Sequence, residues 1–215
     1  MRQIFWLSLS CLILLSSAAA DDWTLYKASA EVRVEYRRLQ SSLLEIRAQA
    51  RVRSGTGAFL HLLHDTAAIS RWVENAERTE LLGSAAAHSN IVHTYFNAVW
   101  PVSPRDMVTQ SVWSQDANGV LQLQVTDMGQ HYPLIDGYVR MQQVQSQWTL
   151  TPQADGTLLI QYQGQADPAG NLPHFIVNRV ALSAMNKTFH NLVKILPEYQ
   201  KPYPGVTEVT KIDSN

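Results

Sequence analysis

Two histidines and an aspartate lie close together in the stretch HLLHD, as His61, His64 and Asp65. On a helix, residues three apart share one face, so the two imidazoles could bind one zinc ion together. The glutamate and the third ligand of the zinc-protease pattern are missing from this stretch. We therefore interpret it as a helix surface with two solvated histidines, and we predict neither a metal site nor a cofactor.

Catalytic motifs are also missing from the sequence. It has no Gly-x-Ser-x-Gly elbow. The stretch RSGTGAF at 53–59 lacks the lysine and the length of a phosphate-binding loop. Asp127, His131 and Asp136 remain as candidates for acid–base chemistry. We predict no catalytic residue, and we expect a protein that is not an enzyme.

The first residues, 1–20, read MRQIFWLSLSCLILLSSAAA. Arg2, an apolar run over 4–15 and small residues before Ala20 are typical of a secretory signal peptide that is cleaved near Ala20. The apolar run is too short for a comfortable membrane span. Cys11, the one cysteine, lies inside it, so the mature chain would have neither a disulfide nor a cysteine nucleophile. We predict a periplasmic or secreted protein.

The charges nearly cancel, with 17 Lys and Arg against 18 Asp and Glu. Proteins that bind nucleic acid usually need a basic face, so nucleic acid is not expected as a partner. The same balance argues against strong electrostatic attachment to anionic lipid.

Alternating apolar and polar residues predict a protein rich in strands. The first two runs are 32–37 and 44–52, and a helical pattern follows from Thr56 to Trp72. Turn signals then separate five more runs, at 90–99, 105–113, 120–126, 138–150 and 157–163. Arg105 and Asp106 open one of these strands, so their side chains point to opposite faces and each needs its own partner.

One long amphipathic helix is predicted from Pro173 to Leu196. A meander of strands followed by a helix is typical of the α+β class, in which the helix covers one face of the sheet. We expect one domain over 21–200 and a C-terminal tail over 201–215. The aromatic residues on these elements fit either a filled core or the lining of a ligand cavity, and both interpretations stay open.

Four stretches, in this order along the chain, resemble the START (steroidogenic acute regulatory protein-related lipid transfer) domain family. They are LLHDTAAISRW, VWPVSPRDMV, HYPLIDGYVRM and DPAGNLPHFIVNRVALSAMNKTFHNL. The resemblance spans Trp23 to about Leu196. It implies a helix-grip fold, in which a curved antiparallel β-sheet wraps around a long C-terminal α-helix and leaves an internal hydrophobic tunnel.

The resemblance also implies where a ligand would bind. The gate would be the loop 127–137, with Gly129, Pro133 and Gly137, together with the C-terminal helix. The residues expected to line the tunnel are Met107, Thr109, Ser111, Trp113, Leu121, Leu123, Val125, Trp148, Leu182, Met185 and Phe189. Sterol-carrying members have an inward arginine six positions after the Arg of the Arg-Asp pair, where this chain has Ser111. A hydroxyl brings no charge, so specificity for sterols is not expected to carry over.

Three functions follow as hypotheses. The first is binding, and transport or shielding, of one lipid, sterol-like or isoprenoid molecule by a monomer that contacts a membrane transiently. The second is a hydrolase or cyclase that uses the same cavity, as some related helix-grip folds do. The third is an interaction module of the cell envelope whose cavity is closed.

Overall fold

The computed structural model describes residues 22–41, 43–84, 86–171 and 173–208. The predicted signal peptide, 1–20, and the last part of the predicted tail, 209–215, lie outside the described residues.

Ten strands and three α-helices make up the described chain. The strands are β1 (Thr24–Ala28), β2 (Val32–Arg38), β3 (Leu44–Val52), β4 (Ala76–Gly83), β5 (Ser89–Phe96), β6 (Arg105–Gln115), β7 (Leu121–Asp127), β8 (Val139–Arg140), β9 (Gln142–Pro152) and β10 (Leu158–Asp167). The helices are α1 (Thr56–His64), α2 (Ile69–Trp72) and α3 (His174–Ile195).

All the strands belong to one curved sheet with the order β1-β2-β3-β10-β9-β7-β6-β5-β4. The neighbours in this order are antiparallel, and the short β8 pairs in parallel with the start of β6. The predicted α+β class and the curved antiparallel sheet with a long C-terminal helix are confirmed.

The predicted strands appear where their side chains alternate between core and solvent. In β3, alternate residues from Leu44 to Val52 are buried and the residues between them are partly or fully exposed. Two strands were missed because they lie at the edges of the sheet. All of β1 is exposed, and β4 leaves Leu81 and Leu82 in solvent, so neither carries the apolar alternation of a half-buried strand.

The C-terminal half of α3 covers the inner face of the sheet. Phe189 and Leu192 are fully buried there, together with Leu196 just after the helix and Phe59 and Leu60 of α1. Burying one such side chain contributes about 1.5–3 kcal/mol. Because the apolar stripe of α3 and the apolar faces of the strands close one core, the helix and the sheet stabilise each other.

The pair Arg105-Asp106 anchors the corner before β6 on both faces, as expected. On one face, the Arg105 guanidinium donates to the backbone carbonyls of Ser103, Pro168 and Ala169 at 2.8–3.1 Å. On the other face, Asp106 Oδ2 lies 2.6 Å from His93 Nε2 and 2.7 Å from Arg140 Nη2. The neighbouring residues therefore hold different segments of the chain.

The tail after α3 folds back onto α1. The Glu208 carboxylate accepts hydrogen bonds from the backbone N–H groups of Thr56, at 3.0 Å, and Gly57, at 2.6 Å. A carboxylate at a helix N-terminus satisfies free N–H groups and complements the helix dipole. Glu208 therefore caps α1 from a distant part of the chain.

We predict that Asp106→Ala lowers the free energy of unfolding by about 3–5 kcal/mol, because it leaves Arg140 buried without its counter-charge. Glu198→Ala is the control, since it breaks an equally short ion pair with Arg71 whose side chains are half exposed. That variant should lose much less, because exposed ion pairs are screened by water and contribute little to stability. Urea denaturation measures both values, and equal losses would show that the buried ion pair does not stabilise this corner.

Candidate ligand site under the C-terminal helix

The register of the strands aligns the inward side chains in rows across the sheet. The Trp113 row contains Trp113, Leu123, Trp148, Tyr162, Ala48 and Val34, in that order. The Ser111 row, one step nearer to the start of β6, contains Ser111, Val125, Ser146, Gly164, Ile46 and Tyr36. These two rows face α3.

Aromatic side chains fill the space at the Trp113 row. The Trp148 ring stacks on Phe189 of α3, with centroids 5.7 Å apart and planes 3° apart. It also contacts Phe59 of α1 at 5.4 Å and Tyr162 at 4.9 Å. The inner face is therefore closed at this level by direct packing between the sheet and both helices.

The Ser111 row is less tightly covered. Ser111, Val125, Ser146 and Tyr36 are all partly exposed, whereas nearly all of the Trp113 row is buried. Two residues of the Ser111 row are serines, and a third, Gly164, has no side chain. The inner face is therefore less tightly covered at the Ser111 row, and we call this side of the inner face, toward the start of β6, the open end.

Gly164 is required by the close approach of two polar side chains. A Cβ at this position would lie 2.5 Å from the Tyr162 hydroxyl oxygen and 2.5 Å from Ser146 Cβ. Burial raises the pKa of Tyr162 to about 12, and a hydrogen bond with Ser146 offsets part of this rise. The floor of the Ser111 row thus carries a hydroxyl pair that stays neutral across the physiological range.

The N-terminal half of α3 faces this open end. Asn178, Leu182, Met185 and Phe189 recur at helical spacing and form one stripe toward the sheet. Leu182 and Phe189 are buried, while Met185 is partly buried against the core. The Asn178 amide nitrogen is buried and has no hydrogen-bond partner among the described residues.

The predicted lining residues all lie on strands or on α3 where the sequence placed them. Those that form the core or pack against it are Trp113, Leu121, Leu123, Val125, Trp148, Leu182, Met185 and Phe189. Met107, Thr109 and Ser111 continue the inward face of β6 toward the open end. Whether these residues contact a ligand stays a prediction.

The loop predicted as a gate is held at its first half. Arg140 donates hydrogen bonds to the backbone carbonyls of Gly129 at 2.7 Å and Pro133 at 2.9 Å. Asp127 Oδ1 accepts the N–H of Gly129 at 2.7 Å. The segment 129–133 is therefore tied to the outer face of the sheet through Arg140 and Asp106, while Leu134 beyond it is exposed.

The acid–base candidates do not form a cluster. His131 and Asp136 are exposed, and Asp127 is engaged with the turn at Gly129. His64 Nδ1 donates to the Leu60 carbonyl at 2.7 Å, and His61 Nε2 lies 3.1 Å from the Pro202 carbonyl. Within the described ranges, no three His, Cys, Asp or Glu side chains are grouped so that they could hold one metal ion.

Two recesses stand out on the described surface, and neither lies under α3. One, of about 480 Å³, is on the outer face of β2, β3, β9 and β10 and is lined by polar side chains such as Arg47, Gln147 and Gln161. The other, of about 260 Å³, lies where Tyr203 of the tail meets His64 and Trp113. The predicted internal tunnel is thus not visible as either recess, and it stays a prediction.

Three large apolar side chains project into solvent at the open end of the sheet. They are Trp100, 92% exposed, Leu134, 75% exposed, and Phe175, 72% exposed. Their segments meet around Arg105, which binds Ser103 and Ala169 and pairs with Val139. None of the helices in the described part of the chain is long and apolar enough to cross a membrane.

Residues 10–201 match the START domain family, which is most of the chain. The chain belongs to the START domain family. Its curved antiparallel sheet with a long C-terminal helix is thus the helix-grip architecture of this family.

Similar START proteins occur in bacteria and animals. An uncharacterized protein of Pseudomonas aeruginosa is 23% identical over 177 residues, which cover 82% of this chain and 87% of that protein. Mouse START domain-containing protein 10 is 23% identical over 146 residues. This stretch covers 66% of the chain but only 50% of the mouse protein.

Solved structures show the same fold. The STAR-related lipid transfer protein of Xanthomonas axonopodis has a TM-score of 0.75 and 29% identity, covering 82% of this chain and 99% of that one. Human StAR-related lipid transfer protein 5 also has a TM-score of 0.75, at 17% identity, over 86% of this chain and 90% of that one.

Sequence analysis missed several residues of the open end. Tyr36, Ser146, Gly164 and Asn178 were not predicted to line the site. Alternation placed Tyr36 on the inward face of its strand, so that signal was available. The proximity of Gly164 to the Tyr162 hydroxyl depends on side-chain packing and has no sequence signal.

We predict that Tyr162 makes stability fall at alkaline pH. Its folded pKa of about 12 lies above the unfolded value of about 10, so its contribution is complete below pH 10 and disappears as pH rises through 12. Wild type should lose about 2–3 kcal/mol more than Tyr162→Phe between pH 9 and 12. Denaturation at several pH values measures this difference. Tyr26→Phe, on exposed β1, should follow wild type, and parallel curves for wild type and Tyr162→Phe would contradict the prediction.

Proposed function

We propose that this START protein binds one lipid-like molecule between the Ser111 row and the N-terminal half of α3, and carries it without chemical change. The observation that carries the proposal is the difference in burial between two rows of the inner face, since nearly all of the Trp113 row is buried and four residues of the Ser111 row are partly exposed. The relative from Xanthomonas axonopodis is described as a lipid transfer protein, and this supports the same kind of cargo here.

Affinity would come from burial of apolar surface. Each Å² of apolar ligand surface removed from water contributes about 25 cal/mol. Val125, Leu182 and Met185 offer apolar contacts at the open end, and a few polar groups can fix the orientation of the ligand.

Uptake would need α3 to separate from the sheet at its first half. Residues 174–181 are exposed or partly exposed, whereas Phe189, Leu192 and Leu196 are fully buried. We therefore place the pivot at the contact between Phe189 and Trp148. The gate would consist of the first half of α3 and the exposed part of the loop 127–137 beyond Pro133.

Contact with a membrane would occur at the same end. Trp100, Leu134 and Phe175 surround the open end and could enter the interface of a bilayer, where aromatic and apolar side chains are favoured. This contact would let a ligand pass between bilayer and protein without crossing water. With the signal peptide predicted for 1–20, the membranes would be those that border the periplasm.

A closed interaction module is the second candidate, and one observation favours it. The aromatic contacts of Trp148 with Phe59, Phe189 and Tyr162 already fill the inner face at the Trp113 row. A protein of this kind would take up no lipid.

We expect the delipidated protein to take up one lipid-like molecule from a mixed panel of neutral lipids, phospholipids and sterols, because apolar surface at the Ser111 row is free to be covered. Native mass spectrometry measures the complex and its stoichiometry. Val125→Asp, which places a charge in the Ser111 row, should abolish uptake, whereas Val112→Asp, at an exposed position of the neighbouring strand, should not. If no lipid from the panel is bound, the closed module is the correct interpretation.

We expect a triple variant, Trp100→Ser, Leu134→Ser and Phe175→Ser, to transfer lipid between vesicles about tenfold more slowly while its affinity for lipid stays unchanged. The physical reason is the loss of apolar contact with the bilayer. A fluorescence assay with donor and acceptor vesicles measures the rate. The control is Leu81→Ser with Leu82→Ser, which removes exposed leucines of β4. Equal slowing in both variants would contradict docking at the open end.

A further inference from the structure

Polar groups face the proposed ligand space although the fold does not use all of them. The Asn178 amide nitrogen is buried and has no hydrogen-bond partner among the described residues. A buried donor without a partner is costly, and such groups in native proteins usually bind water or a ligand. Asn178 is thus a candidate for a ligand contact.

The position of Asn178 on α3 supports this role. It lies on the same stripe as Leu182 and Met185, in the middle of the face that turns toward the sheet. Met185 follows it by two helical turns, or about 10 Å. An apolar chain could therefore run along Leu182 and Met185 while its polar end lies at Asn178.

The other polar groups at the Ser111 row are neutral as well. They are the hydroxyls of Ser111 and Ser146 and the Tyr162 hydroxyl that lies over Gly164. Ser111 Oγ makes only a long contact of 3.4 Å with the Asn90 carbonyl, and Ser146 and Tyr162 bind each other. None of these groups would neutralise a charge on a ligand.

The charged groups nearby already have partners or lie elsewhere. The Arg105 guanidinium donates to three backbone carbonyls, and Asp127 Oδ1 accepts the Gly129 N–H. Asp106 and Arg140 bind each other on the opposite face of the sheet. Arg38, at the end of β2, is exposed to solvent. Arg105 is buried and is bound by carbonyls rather than by a carboxylate, and it holds the turn before α3. Asn178 is thus the buried donor of α3 that the described residues leave without a partner.

We propose that Asn178 donates a hydrogen bond to an uncharged oxygen of the cargo, so that this protein selects lipids with a hydroxyl, ester or carbonyl group at that position over hydrocarbons that lack one. The inference rests on the proposed function, since it names the chemical class that the same site accepts. Asn178 is here a specificity-determining residue, and the apolar contacts supply most of the affinity.

The test compares wild type with Asn178→Leu, which has a similar shape and removes the amide. The two probes share one chain length and are oleyl alcohol, which has a hydroxyl group, and 1-octadecene, which has none. Trp113 and Trp148 line the inner face, so tryptophan fluorescence titration measures the dissociation constants. Arg179→Leu, an exposed neighbour on the same helix, is the matched control, and thermal denaturation confirms that each variant is folded.

Wild type should bind oleyl alcohol about tenfold more tightly than 1-octadecene. Asn178→Leu should weaken binding of oleyl alcohol about tenfold and leave binding of 1-octadecene unchanged, whereas Arg179→Leu should change neither. The inference is overturned if Asn178→Leu weakens both probes equally, or if it leaves binding of oleyl alcohol unchanged. If wild type binds none of the probes, the proposed function itself fails.

Discussion

The contact between α3 and the sheet at Phe189 and Trp148 is the constraint on which the rest of the structure depends. A single antiparallel sheet with one apolar face has to cover that face, and α3 is the one long helix in the described part of the chain. Stacking of these two rings sets the height of the helix above the sheet. The next row toward the start of β6, the Ser111 row, is covered less tightly, since four of its residues are partly exposed.

This arrangement divides the inner face into two parts with different roles. At the Trp113 row, aromatic and aliphatic side chains fill the space and provide the stability of the domain. At the Ser111 row, four residues are partly exposed, and the serines supply neutral hydrogen-bonding groups. The proposed uptake of a ligand needs both parts, because a site that opens must be attached to a part of the molecule that does not.

The corner before β6 holds two different loops, one from each face of the sheet. Successive residues of an extended strand point to opposite faces, so Arg105 and Asp106 bind different segments from one short stretch of chain. Arg105 holds the turn that precedes α3, while Asp106 and Arg140 hold the segment 129–133. The exposed side chains Trp100, Leu134 and Phe175 gather at the same end because their segments share these anchors.

The sequence by itself determined the elements and the family. Period-two alternation located the strands that bury one face, and the 3.6-residue stripe located α3, since both patterns follow directly from backbone geometry. The edge strands β1 and β4 were missed because an edge strand with little buried surface carries no such pattern. Only the tertiary structure decided which rows are closed and which are open. That depends on the volumes of side chains from distant segments, such as Phe59, Trp148 and Phe189, meeting in one place, and on close contacts such as the Tyr162 hydroxyl above Gly164.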